Sequence, residues 1–211
     1  MSRQKVIDIL KNVGAVITDS HFVYTSGKHG SVYINKDALY PHTAETSQVG
    51  QMFAKKFKDV DIDVVAAPAL GGIILSQWTA YHLSKLKGKE VFGVYTEKTL
   101  EKNQVFTRGY DTLVKGKNVL VIEDLTTTGG SVRKVVDSVK AAGGNVIEVC
   151  VMVNRDPLGV TAEVVGGHFS ALGILKAEAF EEADCPLCQK GIPINTSVGH
   201  GKKYLEAKAK A

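Results

Sequence analysis

The chain has 211 residues, with 26 basic and 22 acidic side chains and a net charge of +4. Apolar residues make up 44% and charged residues 23%, which is ordinary for a globular protein and argues against disordered and fibrous classes. The small basic excess is spread along the chain, which argues against a nucleic-acid-binding protein. No apolar run reaches the roughly 18 to 20 residues of a membrane-spanning helix, and residues 1–12 lack a signal-peptide core. We therefore expect a cytoplasmic protein.

The length predicts one domain over residues 1–211. Three cysteines, an odd number, do not form a disulfide framework, which fits a reducing compartment.

Alternating helical and strand patterns run along the chain. Two helices are predicted by apolar side chains at helical spacing, at Val6, Ile9, Leu10 and Val13 and again at Val132, Val135, Val136 and Val139. Four apolar runs predict strands covered on both faces, at residues 64–67, 91–95, 119–122 and 146–153. A third, less regular stripe at residues 49–57 adds a helix before the first strand. This succession predicts an α/β fold, with a mostly parallel twisted sheet flanked by helices.

The most informative segment reads VLVIEDLTTTGGS over residues 119–131. Its hydroxyls and glycines stand at a helix start, where backbone N–H groups and the positive helix end suit a phosphate monoester. Glu123 and Asp124, directly before them, can accept hydrogen bonds from a vicinal diol or hold a hydrated Mg²⁺. A capped turn explains any one of these residues, but not the whole string. The segment therefore predicts a site for a ribose 5-phosphate.

This segment resembles the phosphoribosyl-diphosphate signature of type I phosphoribosyltransferases, with Thr126 in place of the usual apolar residue. The resemblance implies that Glu123 and Asp124 bind the ribose hydroxyls and take part in catalysis. It implies phosphate contacts from the loop, through Thr126, Thr127, Thr128, Gly129, Gly130 and Ser131. It also implies the type I fold, in which a small hood from both termini, approximately residues 1–40 and 165–205, covers a core of approximately residues 41–164.

A second loop, AAPALGG at residues 66–72, follows the first predicted strand. Small residues let the backbone approach a ligand, and the family resemblance implies diphosphate contacts from Ala69, Leu70 and Gly71. On local grounds, a simple turn of the chain is an equally good explanation.

About twenty charge-rich residues separate Tyr95 from the strand that begins near Asn118. Loops of this length without secondary structure are uncommon unless they are functional. The segment resembles the mobile catalytic loop of orotate phosphoribosyltransferases, which implies that Lys98 stabilises charge on the leaving diphosphate. Lys102 and Arg108 are further candidate contacts. The resemblance also implies that the loop serves a neighbouring subunit of a homodimer.

The base is predicted from two other segments. Residues 21–36 resemble the orotate-binding hood of the same family, and an arginine at a strand end can form a bidentate contact with a carboxylate. The cations Lys28 and Lys36 suit a planar anion, which makes Lys28 a candidate orotate contact. The resemblance implies orotate contacts from Tyr33, Thr127 and Arg155. A solvated hairpin and an N-cap at Asp156 are the alternatives.

A C-x-x-C pair, CPLC at residues 185–188, has the spacing of half a zinc site. A second such pair is absent, so the sequence argues against zinc and leaves only weak completions at His200, His168 and Cys150. Residues 184–193 resemble the tail of one orotate phosphoribosyltransferase subgroup, which extends the resemblance across nearly the whole chain.

These resemblances imply an orotate phosphoribosyltransferase of pyrimidine (UMP) biosynthesis. Its substrates would be orotate and phosphoribosyl diphosphate, and its cofactor Mg²⁺, held mainly through the substrate with a water-mediated contact to Asp124. We expect a homodimer, with no nucleic acid and no membrane as partner. The alternatives are a phosphoribosyltransferase for a purine or other base, a phosphoribosyl-diphosphate-sensing regulator, and a zinc-stabilised interaction module.

Overall fold

The computed structural model describes residues 4–24 and 26–209. The helices lie at Gln4–Asn12 (α1), Thr43–Lys56 (α2), Gly71–Lys87 (α3), Tyr110–Val114 (α4), Gly130–Ala141 (α5), Ala162–Val165 (α6), Pro186–Gln189 (α7) and Gly201–Lys208 (α8), with 3-10 turns at Lys36–Ala38 and Glu182–Asp184. The strands lie at Val16–Ile17 (β1), Phe22–Val23 (β2), His29–Gly30 (β3), Tyr33–Ile34 (β4), Val64–Pro68 (β5), Phe92–Lys98 (β6), Gln104–Phe106 (β7), Asn118–Thr126 (β8), Asn145–Asn154 (β9) and Phe169–Ile174 (β10). Within the described ranges, no helix combines the length and the apolarity needed to cross a bilayer.

A six-stranded sheet forms the centre of the molecule, in the order β10–β9–β8–β5–β6–β7. Every neighbouring pair is parallel except β6 with β7. The predicted mostly parallel sheet flanked by helices is therefore confirmed. Strand order reverses at β5, because β6 lies on one side of it and β8 on the other. The carboxyl ends of β5 and β8 form the switch point at which open α/β sheets bind ligands.

Helices cover both faces of this sheet, which is why its strands are apolar at consecutive positions. On β8, Leu120 and Ile122 face a core shared with α1, α2 and α3. Val119 and Val121 face a second core built on α5. The predicted α5 stripe is fully engaged in that second core, through Val132, Val135, Val136 and Val139.

Two regions differ from the sequence prediction. The charge-rich segment after Tyr95 is not a structureless loop, because β6 continues to Lys98, β7 returns beside it, and α4 follows. Pairing of the two strands, with Glu97 opposite Val105, satisfies the backbone hydrogen-bonding groups of this segment. The charged composition of the segment did not predict this pairing. β10 lies in the stretch assigned to the hood, yet it pairs with β9 in the central sheet.

Short strands join the two ends of the chain above the sheet. β2 and β3 form an antiparallel hairpin, and β1 pairs with β4. Isolated bridges connect His21 to Ile194 and His29 to Phe180, so the hairpin is tied to the C-terminal segment. This layer lies over the carboxyl side of β9, since Tyr24 and Arg155 line a common cavity.

Candidate active site

Glu123 and Asp124 lie at the switch point and are almost fully buried. β8 continues to Thr126, so the pair lies within the strand rather than after it. Asp124 Oδ2 accepts hydrogen bonds from Lys36 Nζ at 2.8 Å and from the Tyr40 hydroxyl at 3.0 Å, and its Oδ1 accepts one from a backbone N–H at 2.6 Å. The sequence did not predict that Lys36 and Tyr40 contact Asp124, because both lie far from it along the chain; Tyr40 precedes it by 84 positions.

Burial sets the electrostatics around this pair. Burial, together with the neighbouring Asp124 charge, raises the pKa of Glu123 well above its ordinary value. Burial works to lower the pKa of Lys36, but the attraction of the Asp124 carboxylate outweighs it and the pKa is raised. Burial and the same carboxylate raise the pKa of Tyr40, which keeps its hydroxyl a donor. Two permanent donors therefore fix the orientation of Asp124.

The start of α3 packs directly against Asp124. A Cβ at Gly71 would overlap Asp124 Oδ2 and lie 2.6 Å from Lys36 Nζ, so only glycine fits. The peptide bond between Ala69 and Leu70 is cis. The structure therefore places the predicted Ala69, Leu70 and Gly71 segment at the switch point, beside the acidic pair.

The loop between β8 and α5 presents hydroxyls around a helix start. Gly129 has a φ of +77°, and a Cβ there would lie 2.8 Å from Val164 Cγ1, which requires glycine twice over. The first N–H groups of α5 have no partner within the helix. Thr126 is turned inward, because its Oγ1 accepts a hydrogen bond from Gly129 N–H at 3.0 Å. Outward-facing hydroxyls remain on the exposed residues Thr127, Thr128 and Ser131.

A cavity of about 230 Å³ separates this loop from the charged β6–β7 hairpin. It is lined by Pro68, Ala69, Lys98, Lys102, Gln104, Glu123, Ser131 and Lys134. Predicted residues from three separate segments thus meet in one place. Lys134 was missed, although it follows Ser131 by one helical turn, and its Nζ donates to the Lys102 carbonyl at 2.6 Å. We name this space the cationic cavity.

Arg108 does not line the cationic cavity. Its Nε donates to Glu97 Oε1 at 2.9 Å on the outer side of the hairpin, where 61% of the Arg108 side chain is exposed. The sequence placed Arg108 in a mobile loop, whereas in the structure it lies just after β7 and pairs with Glu97 of β6.

A second cavity, of about 390 Å³, lies on the other side of the β8–α5 loop and is named here the base cavity. It is lined by Tyr24, Ser26, Thr127, Arg155, Asp156, Lys176, Ala177 and Ala179. The Arg155 guanidinium lies 5.1 Å from the centre of the Tyr24 ring. Its Nε is buried without a hydrogen-bond partner among the described residues. An unsatisfied guanidinium N–H beside an aromatic face suits a planar anion.

Tyr24 supports this arrangement through its own hydroxyl, which donates to the Val32 carbonyl at 2.6 Å. Burial raises the pKa of Tyr24 even though the Arg155 charge lowers it, so the hydroxyl remains a donor. Asp156 caps the following turn, because its Oδ1 accepts from Gly159 N–H at 2.9 Å. The capping alternative therefore explains Asp156 but leaves Arg155 facing the cavity.

Lys28 and Tyr33, both predicted to contact the base, do not line the base cavity. Lys28 Nζ pairs with Glu181 at 3.1 Å on the exposed side of the hood. Tyr33 lies in β4, and its ring packs 5.4 Å from that of Phe22. In the structure, Tyr24 and Lys176 line this cavity, and Lys28 and Tyr33 do not.

The chain is similar in sequence to known phosphoribosyltransferases. The family model described as "Phosphoribosyl transferase domain" matches residues 35–159, which include the acidic pair and the β8–α5 loop. An orotate phosphoribosyltransferase of Thermoanaerobacter sp. (strain X514) is 37% identical over 194 residues, covering 92% of this chain and 96% of the relative. One from Thermotoga maritima is 34% identical over 197 residues, covering 93% and 98%. This chain belongs to the orotate phosphoribosyltransferase family.

The chain also shares its fold with solved phosphoribosyltransferase structures. An orotate phosphoribosyltransferase of Mycobacterium tuberculosis in complex with inorganic phosphate superposes with a TM-score of 0.64 at 22% identity, covering 82% of this chain and 95% of that one. An adenine phosphoribosyltransferase of Thermoanaerobacter pseudethanolicus superposes with a TM-score of 0.58 at 17% identity, covering 82% and 100%. Enzymes for different bases thus share this fold, so the base assignment depends on the closer relatives and on the base cavity.

Proposed function

We propose that the chain transfers the phosphoribosyl group of 5-phosphoribosyl 1-diphosphate to N1 of orotate, a step of pyrimidine (UMP) biosynthesis. The products are orotidine 5-phosphate and pyrophosphate. One observation carries the proposal: the cationic cavity and the base cavity lie on either side of a single loop, with Ser131 lining the first and Thr127 the second. A sugar phosphate held by that loop would present its anomeric carbon to both cavities.

The cationic cavity would hold the diphosphate. As the bond from the anomeric carbon to the diphosphate oxygen breaks, negative charge grows on the leaving group. Lys98, Lys102 and Lys134 line this cavity from a hairpin and a helix. Their positive charges would stabilise the leaving group more strongly in the transition state than in the bound substrate.

The acidic pair would hold the ribose. Carboxylate oxygens of Glu123 and Asp124 accept hydrogen bonds from the vicinal hydroxyls. The negative charge of Asp124 also favours the positive, oxocarbenium-like ring that forms as N1 of orotate approaches. No covalent intermediate with the protein is required.

The base cavity would hold orotate through Arg155. Its guanidinium can donate two parallel hydrogen bonds to the orotate carboxylate, a contact that uracil and the purines cannot offer. The Arg155 Nε is buried without a hydrogen-bond partner among the described residues, and an unpaired buried donor costs free energy. Binding of orotate would supply the missing acceptor.

Magnesium fits this site only indirectly. The Asp124 oxygens already accept three hydrogen bonds, so the ion would be held by substrate oxygens and water beside Asp124 rather than by direct protein ligands. When bound, Mg²⁺ neutralises the diphosphate as it leaves.

We also propose a homodimer and a hood over the base. Tyr24 and Ser26, from the N-terminal layer, supply one wall of the base cavity. On α3, Ile74 and Tyr81 lie two turns apart and are 39% and 50% exposed, which offers an apolar surface to a second copy. Sedimentation of the purified chain tests the dimer, and a monomer at micromolar concentration would contradict it.

A base panel tests the reaction. The protein is incubated with phosphoribosyl diphosphate, Mg²⁺ and each of orotate, uracil, adenine, hypoxanthine and xanthine, and nucleotide formation is followed by chromatography. We expect turnover with orotate alone, and its loss in Asp124→Asn. Turnover of a purine without orotate would contradict the base assignment, and tight substrate binding without turnover would favour the regulator.

A further inference from the structure

Four metal-ligating side chains meet in the hood, outside both cavities. They are His21, His29, Cys185 and Cys188, and one ligand atom from each lies within 4.8 Å of the other three. The C-x-x-C pair therefore lies beside two histidines that the sequence analysis did not predict as its partners. They come from the N-terminal hairpin, more than 150 positions away along the chain.

None of the completions considered from the sequence, His200, His168 and Cys150, belongs to this group of the described residues. Cys150 is buried in the main core instead, and His168 is exposed beside β10. His21 directly precedes the β2–β3 hairpin and His29 lies in its second strand, a spacing that does not by itself indicate a metal site. Only the packing of that hairpin on the C-terminal segment brings the four ligands together.

Three nitrogen–sulfur distances are close to those of a tetrahedral metal site. Cys188 Sγ lies 3.3 Å from His29 Nδ1 and 3.7 Å from His21 Nε2, and Cys185 Sγ lies 3.8 Å from His21 Nε2. A zinc ion with ordinary Zn–N and Zn–S bond lengths places such nitrogen and sulfur atoms about 3.5 Å apart. Three of the four residues are fully buried and the fourth is partly buried, so the site is closed to solvent as structural zinc sites are.

A hydrogen bond outside the group orients one of the ligands. His21 Nδ1 lies 2.7 Å from the Ile192 carbonyl, which can only accept, so this nitrogen carries the proton. In neutral His21, Nε2 then carries no proton, and it lies close to both cysteine sulfurs. Metal-binding histidines are held in this way, with the second ring nitrogen donating to a carbonyl.

A metal-free arrangement accounts for part of this geometry. His21 Nε2 and His29 Nδ1 are 2.8 Å apart, which fits a hydrogen bond between two neutral imidazoles. It gives no reason for two free thiols to converge on the same nitrogen, His21 Nε2. Two thiols and two imidazoles in one closed group are the donor set that proteins use for zinc.

We propose that His21, His29, Cys185 and Cys188 bind one structural Zn²⁺, which fastens the N-terminal hairpin to the C-terminal segment. Binding releases the two thiol protons to solvent, and the thiolates become ligands. The segment between the two histidines supplies Tyr24 and Ser26 to the base cavity. The ion would therefore position the base-binding loop, a consequence that rests on the proposed function.

Metal content tests the site without any substrate. The full chain is expressed with zinc in the medium, purified without chelator and analysed by inductively coupled plasma mass spectrometry. We expect about one zinc per chain, and its loss in the double variant Cys185→Ser/Cys188→Ser. The control Cys150→Ala removes a thiol outside the group and should keep the metal.

Cobalt substitution of the wild-type chain keeps the test valid if the double variant does not fold. Cobalt bound to two thiolates and two imidazoles gives strong visible bands of a tetrahedral centre and thiolate charge transfer in the near ultraviolet. Their appearance at one equivalent supports the site. Metal-free protein that takes up neither ion, or a disulfide between Cys185 and Cys188 in protein purified under reducing conditions, would overturn it.

The positioning role has a separate readout. After chelation, we expect the KM for orotate to rise several-fold, the KM for phosphoribosyl diphosphate to change little, and added zinc to restore the first value. An unchanged KM for orotate in zinc-free folded enzyme would overturn the positioning role. Failure of orotate turnover itself would contradict the proposed function while leaving the zinc measurement intact.

Discussion

The phosphate side of the candidate site and its base side are built differently. On the phosphate side, Glu123, Asp124 and the hydroxyl loop all come from one stretch of nine residues, 123–131. On the base side, Tyr24, Thr127, Arg155 and Lys176 come from four separate segments. The difference teaches that contacts to the ribose and its 5-phosphate can be carried by one local motif, to which other segments add the lysines of the cationic cavity. Selection of the base depends on how distant segments pack.

The largest effect should come from the phosphate side. Lys98→Ala removes one cation from the cationic cavity, and we expect kcat to fall about 100-fold or more, because a preorganised charge at the leaving group is lost. The KM for orotate should change little. Steady-state kinetics with both substrates varied measures this.

Lys89→Ala is the matched control, since Lys89 is another surface lysine, paired with Asp61 and Asp63 away from both cavities. A kcat for Lys98→Ala within twofold of this control would remove Lys98 from catalysis.

A smaller and more selective effect is expected on the base side. Arg155→Gln removes the bidentate donor, and we expect the KM for orotate to rise by about tenfold or more while the KM for phosphoribosyl diphosphate is unchanged. Lys28→Ala separates the sequence prediction from the structure, because Lys28 pairs with Glu181 and does not line the base cavity. Equal effects of the two variants on the KM for orotate would contradict the role of Arg155 as the selective contact for orotate.

The smallest effect concerns stability. The pKa of Glu123 is raised in the folded chain, so its ionisation destabilises the fold as pH rises above the ordinary value of 4.5. Glu123→Gln removes that dependence. We expect its Tm to exceed the wild-type value by on the order of a few degrees at pH 7, with the difference shrinking toward pH 4.5, while activity falls.

Thermal unfolding between pH 4 and 8 gives the measurement, with the exposed Glu90→Gln as the control. A Tm difference that stays constant over this range would mean that the Glu123 carboxyl has the same affinity for protons in the folded and unfolded chain.

Most of the sheet could be predicted because its strands are consecutive apolar residues covered on both sides. The apolar run around Val119 and the valine stripe of α5 are both buried, and each is visible as a pattern of neighbouring residues. The β6–β7 hairpin could not be predicted in the same way, since the pairing of Glu97 with Val105 uses backbone groups and leaves charged side chains in solvent. For the same reason, the sequence did not predict the pairing of Arg108 with Glu97.

The sequence by itself determined the parallel sheet, the acidic pair and the hydroxyl loop, because periodicity and helix-start chemistry act over a few neighbouring residues. Only the tertiary structure decided which groups face them. Lys36 and Tyr40 reach Asp124, Arg155 meets Tyr24, and two histidines meet two cysteines across the hood. These contacts join segments that meet at the carboxyl edge of the sheet. Local sequence patterns do not indicate which distant segments will meet there.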